Sequence, residues 1–293
     1  FGGGASGGRL DNCLFSGNTA WHMGGGAFGA ILSNCMLQYN DASDLEGGGS
    51  GGGTGQCTLY NCLLVGHRSP YGAGSCDSTL NNCMLRGNTA FQGGGTSGGT
   101  LNNCILWDNS ASYGGGARFG TLNNCTLLGN SASSEGGGVW HSSLNNSIVY
   151  GNSAPNGSNH FGASFQFGCT LPDPGGMGNI TNDPQFVDTA AENFRLADGS
   201  PCIDTGNNSY VQGTTDLDGN PRTTGSSVDM GAYEWQPEAQ LLVQPSATNV
   251  GSGASSGLML DVAANLDWTA ATNAPWLAIT SGESGATNGT VVF

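Results

Sequence analysis

Thr121-Leu122-Asn123-Asn124-Cys125, followed by Gly129-Asn130-Ser131-Ala132 and by Gly136-Gly137-Gly138, is one copy of a pattern that recurs along the chain. The Asn-Cys step returns at Cys13, Cys35, Cys62, Cys83, Cys104 and Cys125 and decays to Asn146-Ser147, with spacings of 22, 27, 21, 21, 21 and 22 residues. A second asparagine follows at Asn18, Asn40, Asn88, Asn109, Asn130 and Asn152. A period this short and regular specifies a solenoid.

Within one copy, Gly116–Phe119 reads as a short strand and Leu122–Leu128 as a second, broken at the asparagine pair. Asn and Gly tolerate the positive φ that the turns need. Coils of about 21–22 residues with two or three short strands predict a parallel β-helix, right-handed by the handedness of parallel crossovers. Seven coils stacked at the strand spacing make a rod of roughly 34 Å.

Strand alternation assigns the faces. The second residue after each cysteine is apolar in every copy: Phe15, Leu37, Leu64, Leu85, Leu106, Leu127 and Val149. With the cysteines inward, this is a core ladder. The flanking outward positions carry Leu14, Met36, Leu63, Met84, Ile105, Trp107, Leu128, Ile148 and Tyr150. That stripe is greasier than a solvent face. It is either covered by another part of the chain, as parallel sheets often are, or an assembly face.

The composition narrows the partners. Only 9% of residues are charged, there is no Lys, and the net charge is -15. Nucleic acid and anionic membranes are disfavoured. No apolar run is long enough for a transmembrane helix. Residues 1–170 hold seven acids and four Arg (-3) and residues 171–293 hold fourteen acids and two Arg (-12), which places a domain change near residue 170. The chain begins mid-repeat and ends mid-strand, so a piece of a longer protein is expected.

Six of the ten cysteines, Cys13, Cys35, Cys62, Cys83, Cys104 and Cys125, form a core thiol ladder. Small buried thiols pack well in such a column. Cys57 and Cys76 flank the irregular 27-residue step, where a disulfide is one reading. One cysteine per coil, without CxxC pairs, argues against a zinc site.

After the rod come Asn182-Asp183-Pro184-Gln185-Phe186, Gly199-Ser200-Pro201-Cys202-Ile203-Asp204-Thr205-Gly206, Asp216-Leu217-Asp218-Gly219-Asn220-Pro221-Arg222 and Val228-Asp229-Met230-Gly231-Ala232-Tyr233-Glu234. These resemble the closing segment of bacterial secreted β-helix repeat proteins of the choice-of-anchor type, and residues 1–235 as a whole are similar to that group. The expected organisation is β-helix coils over 1–170, a closing cap over 171–236 and a second module over 237–293. A solenoid needs its open end covered. Asp216, Asp218 and Asn220 present alternate oxygens, which fits either a calcium loop or an Asx-rich turn. No other cofactor is expected.

The stretches Asn265-Leu266-Asp267-Trp268-Thr269-Ala270, Asn273-Ala274-Pro275-Trp276-Leu277-Ala278-Ile279 and Asn288-Gly289-Thr290-Val291 resemble the BACON family of immunoglobulin-like modules. The resemblance implies a partial β-sandwich and carbohydrate as ligand. Trp268 and Trp276 would then stack on sugars, or else fill the sandwich core.

Catalysis on a β-helix needs carboxylates or a base gathered on one face. The rod's acids, Asp11, Asp41, Asp44, Glu46, Asp77, Asp108 and Glu135, fall at different repeat positions, and only Asp41, Asp44 and Glu46 cluster. No nucleophile–base pair emerges, so catalytic residues are assigned to none. The sequence therefore reads as an extracellular or cell-surface bacterial protein with a structural or adhesive role, self-associating head-to-tail into a fibre. The alternative is a secreted β-helix that binds or cleaves polysaccharide.

Overall fold

A computed structural model of the chain describes residues 1–43, 48–236, 241–244, 259–264, 268–269, 284–285 and 289–292. They form two compact units, Phe1–Trp235 and Gln236–Phe293. The first is a parallel β-helix of eight coils, and no α-helix occurs among the described residues. One coil contains the strands Ala117–Arg118, Thr121–Asn123, Thr126–Leu128 and Ser131–Glu135. Stacking its equivalents gives three eight-stranded sheets, called I, II and III in that order, and a four-stranded sheet IV.

The register follows the repeat. Leu80 pairs with Leu101 and Leu101 with Leu122, while Leu85 pairs with Leu106 and Leu106 with Leu127. Each inward position thus meets its own equivalent, and Leu32, Leu59, Leu80, Leu101 and Leu122 are fully buried. The corner between sheets II and III is the asparagine before each ladder cysteine, or before Ser147, with φ between 48° and 52°. Asn accepts this left-handed conformation more readily than other side chains.

The cysteine column is a hydrogen-bonded thiol ladder. The backbone N–H of Cys35 donates to Cys62 Sγ, and that of Cys62 to Cys83 Sγ, each at 3.4 Å. Burial raises the pKa of Cys83 and Cys104, which keeps them as inert thiols. Cys57 and Cys76 are also free, contrary to the disulfide reading. Cys57 sits at a corner column between Ala30 and Ser78, whereas Cys76 pairs with Gly55 on sheet I, two positions away.

The second asparagine column has a role the repeat alone does not disclose. Asn88 Nδ2 and its backbone N–H both donate to Asn109 Oδ1, and Asn109 does the same to Asn130. Each Nδ2 also donates to a carbonyl of the preceding coil, as from Asn109 to Leu85 and from Asn130 to Leu106. His67 fills the one gap in the series. Its Nδ1 accepts from Asn40 N–H at 3.0 Å, while its own N–H donates to Asn88 Oδ1 at 2.9 Å. The ring is fully buried.

Residues beyond the last coil do two things. Met177 and Ile180 bond the end coil through Phe167 and Thr170, closing that end. The chain then runs along the outer side of sheet III, not across the rod end. Ile105 and Leu128 are buried with Phe194, Ala232 and Tyr233, and Met84 and Trp107 pack against them. Ile148 is buried with Leu196, Cys202 and Met230, and Tyr150 packs there. The corner asparagines serve as sockets for this segment: Asn82 donates to Asp216 O, Asn124 to Asp229 O and Asn146 to Asn207 O. A buried pair holds the covering segment together, with Arg222 Nη1 3.0 Å from Glu234 Oε2 and Nη2 donating to Asp229 O and Gly231 O.

The second unit contains a three-stranded antiparallel sheet of Leu241–Gln244, Met259–Ala264 and Gly289–Val292. Trp268–Thr269 pairs antiparallel with Ser284–Gly285.

Two measurements test this account. Burial lowers the His67 pKa to about 4 from 6.5. A proton therefore prefers the unfolded chain, and stability is lost as pH falls from 6.5 through 4. The shift corresponds to about 3 kcal/mol. Denaturant titrations across that range should show His67→Asn losing less stability than the unmodified protein, by up to that amount. Arg222→Ala strands Glu234 in the interior and should cost about 3–5 kcal/mol. By uncovering sheet III it should also raise dye binding and light scattering.

Candidate functional site

Sheets IV and I meet across the glycine triplets, and three side-chain columns converge there. The last residues of sheet IV stack as Tyr71, Gln92, Tyr113 and Glu135. The second residues of sheet I stack as Cys76, Ser97, Arg118, Trp140 and Phe161. The next residue is a left-handed corner held by Asp77, Gly98, Phe119, His141 and Gly162. Backbones approach closely at the triplets: a Cβ on Gly115 would lie 2.3 Å from Ser131 O and 2.4 Å from Gly137 O. Only glycine permits this packing.

The result is an open aromatic face. Ring centroids lie 5.0 Å apart for Phe119–Trp140, 5.5 Å for Tyr113–Trp140, 5.9 Å for Phe91–Tyr113 and 6.1 Å for His141–Phe161. Phe91 is 52% and Phe119 51% exposed. Trp140 is oriented by its Nε1–H, which donates to Glu135 Oε2 at 3.0 Å. The Arg118 guanidinium lies 4.3 Å from the Phe119 centroid, 5.6 Å from Trp140 and 5.7 Å from Tyr71. Burial lowers its pKa. Beside it opens a cavity of about 470 Å³ whose walls include Tyr71, Asp77, Ser97, Arg118 and Phe119.

Phe119 and His141 adopt φ of 53° and 50°, at a column where four of the eight residues are glycines, Gly7, Gly29, Gly98 and Gly162. Left-handed backbone costs a bulky residue roughly 1–2 kcal/mol. Strain of this kind at an exposed aromatic points to a use for the ring. Concave surface, aromatic walls and a few convergent polar groups are the marks of a ligand site. The sequence signal was present but irregular, since these aromatics break the repeat instead of following it.

A larger cavity, about 680 Å³, lies where Trp107 and Tyr150 of sheet III meet Asp183 and Phe186. It belongs to the seam beneath the covering segment. Trp107 is held there by Arg86 at 4.1 Å and Phe194 at 5.6 Å, and Asp183 Oδ1 accepts from Gln185 N–H.

The residues singled out from sequence fall as follows. Along the outer stripe, Met84, Ile105, Trp107, Leu128, Ile148 and Tyr150 face the chain's own covering segment, so that stretch is not a free assembly face. Leu14 and Met36 remain exposed and Leu63 is half-buried. In the loop of residues 216–220, the carboxylates of Asp216 and Asp218 are engaged by protein groups. Asp216 is buried and accepts from the N–H groups of Asp218, Asn220 and Glu234, while Asp218 pairs with Arg195. Among the described residues no three His, Cys, Asp or Glu side chains gather to hold a metal. Asp44, Glu46 and Trp276 lie outside the described residues, and Trp268 is described only as part of its strand. Asp11, Asp77, Asp108 and Glu135 stay apart at separate repeat positions.

The sequence matches no protein family. It is similar to no curated protein. Among solved structures, the crystal structure of pectate lyase Pel9A is similar at 15% identity and a TM-score of 0.48, over 78% of this chain and 65% of that one. The chain thus spans less than two thirds of that structure's length.

Phe119→Gly separates stability from use of the face. Relief of the left-handed strain offsets the lost ring contacts, so the melting temperature should change by no more than a few degrees. A fall of more than about 10 °C in a thermal melt would mean that Phe119 is chiefly a structural residue.

Proposed function

We propose that this protein binds carbohydrate without cleaving it, through the aromatic face formed by Phe91, Tyr113, Phe119, Trp140 and Phe161. The observation that carries this reading is the set of exposed and half-buried rings, packed on one another beside a polar cavity, with Phe119 held in a left-handed corner. Pyranose rings offer flat C–H faces to aromatic side chains and hydroxyls to neighbouring polar groups. One ring per coil at roughly 4.8 Å gives an extended track rather than a single pocket. Glu135 orients Trp140, and Asp77 lies at another repeat position, which supports binding over acid–base cleavage. The choice-of-anchor and BACON resemblances fit a bacterial secreted or surface-attached protein of this kind, with Trp268 and Trp276 as a second sugar contact in the tail module.

Self-association into a fibre is the weaker reading, because most of the outer stripe packs against the chain itself and Leu14 and Met36 are what remains exposed of it.

A panel of plant, microbial and host polysaccharides tests the proposal by affinity electrophoresis and calorimetry. At least one should bind, with no reducing ends released. Trp140→Ala and Phe119→Ala should each weaken that binding by about tenfold or more, as loss of an aromatic anchor does. Binding unaffected by both changes would move the site elsewhere, and filaments seen by electron microscopy without glycan binding would favour the fibre.

A further inference from the structure

Arg118 is anomalous on this face. Of the six arginines, Arg9 and Arg68 are exposed to solvent, and Arg86, Arg195 and Arg222 each have a carboxylate partner, in Glu192, Asp218 and Glu234. Arg118 has no carboxylate within ion-pair distance among the described residues, although the chain carries a net charge of -15. Its one hydrogen bond is from Nη1 to Ser97 Oγ at 3.3 Å, and its Nε–H is buried without an acceptor. A guanidinium has five N–H donors in a fixed planar fork. Here most of that capacity is unused, at the wall of a cavity and between aromatic rings that hold the group in place.

A half-buried cation left unneutralised in a strongly acidic protein is costly unless something else supplies the anion. The open Nη edge fits a planar carboxylate, which arginine binds bidentately. Asp77 lines the same cavity and would accept sugar hydroxyls while repelling a second anion. One ligand carboxylate is thereby directed to the Arg118 side.

We infer that the cavity beside Arg118 recognises the carboxylate of an acidic sugar unit, so that the glycan bound on the aromatic face is carboxylated. This rests on the carbohydrate-binding reading above and specifies its ligand class.

The test uses the full chain and three probes: an oligouronide, the same oligosaccharide with its carboxyl groups reduced to alcohols, and a sulfated neutral oligosaccharide. Calorimetry should show the oligouronide bound at least about tenfold more tightly than the reduced form, the scale of a hydrogen bond to a charged group. Arg118→Gln should collapse that ratio toward one. Arg118→Lys keeps the charge without the fork and should leave a reduced ratio, and it serves as the readout if the glutamine variant does not fold by circular dichroism. Equal binding of the oligouronide and its reduced form, or a ratio that survives loss of Arg118, overturns this inference and leaves the glycan reading standing. Equal preference for the sulfated probe overturns the carboxylate assignment. Binding of none of the three, with the wider panel also negative, overturns both.

Discussion

Each coil of this protein has one set of partners for its backbone, namely the N–H and C=O groups of the coils on either side. Everything else depends on keeping that ladder in register. A slip of one residue would turn Leu101 and Leu122 outward and put Asn102 and Asn123 in the core. The buried asparagine column guards against this. Asn109 Oδ1 accepts two N–H groups of Asn88, and Asn109 Nδ2 reaches both the next coil and the carbonyl of Leu85. A shifted coil would leave several buried polar groups unpaired, each costing about 1–3 kcal/mol. Apolar packing gives the rod its cohesion, and the amide column gives it a single register.

The repeat made most of this legible. Identical residues at a fixed period have to stack, so the leucine and cysteine ladders and the asparagine corners follow from spacing and the conformational tolerance of asparagine. His67 shows where that logic stops. By type it looks like an interruption, yet Nδ1 takes the place of the amide oxygen and the column continues. The outer stripe shows a different limit. Alternation identifies it as apolar on both sides of the sheet, but cannot say what covers it. The answer lay in residues 184–235, whose sequence has no period to align with the rod. Their anchoring through Asn82, Asn124 and Asn146 uses side chains already fixed in left-handed corners. Preorganised groups lose little further entropy on docking.

The aromatic face was hidden for the opposite reason. Its rings occupy columns where other copies carry Gly, Gln, Ser or Asp, so a search for what repeats passes over them. A solenoid tolerates such departures because outward side chains at a corner do not enter the core. Phe119 and His141 therefore inherit a glycine's backbone without disturbing the register of their neighbours. The regular scaffold carries the irregular residues.

The covering segment and the aromatic face together distribute apolar surface around the rod. Sheet III carries the larger share, and the chain covers most of it with its own Phe194, Leu196, Met230 and Tyr233. Among the described residues, the rings at the junction of sheets IV and I receive no such cover. Their contacts are with one another and with Arg118, an arrangement that holds them rigid while leaving their outer edges open. Rigid aromatic surface binds with little conformational entropy to lose. A face kept open despite local backbone strain, beside one that the chain has covered, is what the proposed binding of an outside ligand requires.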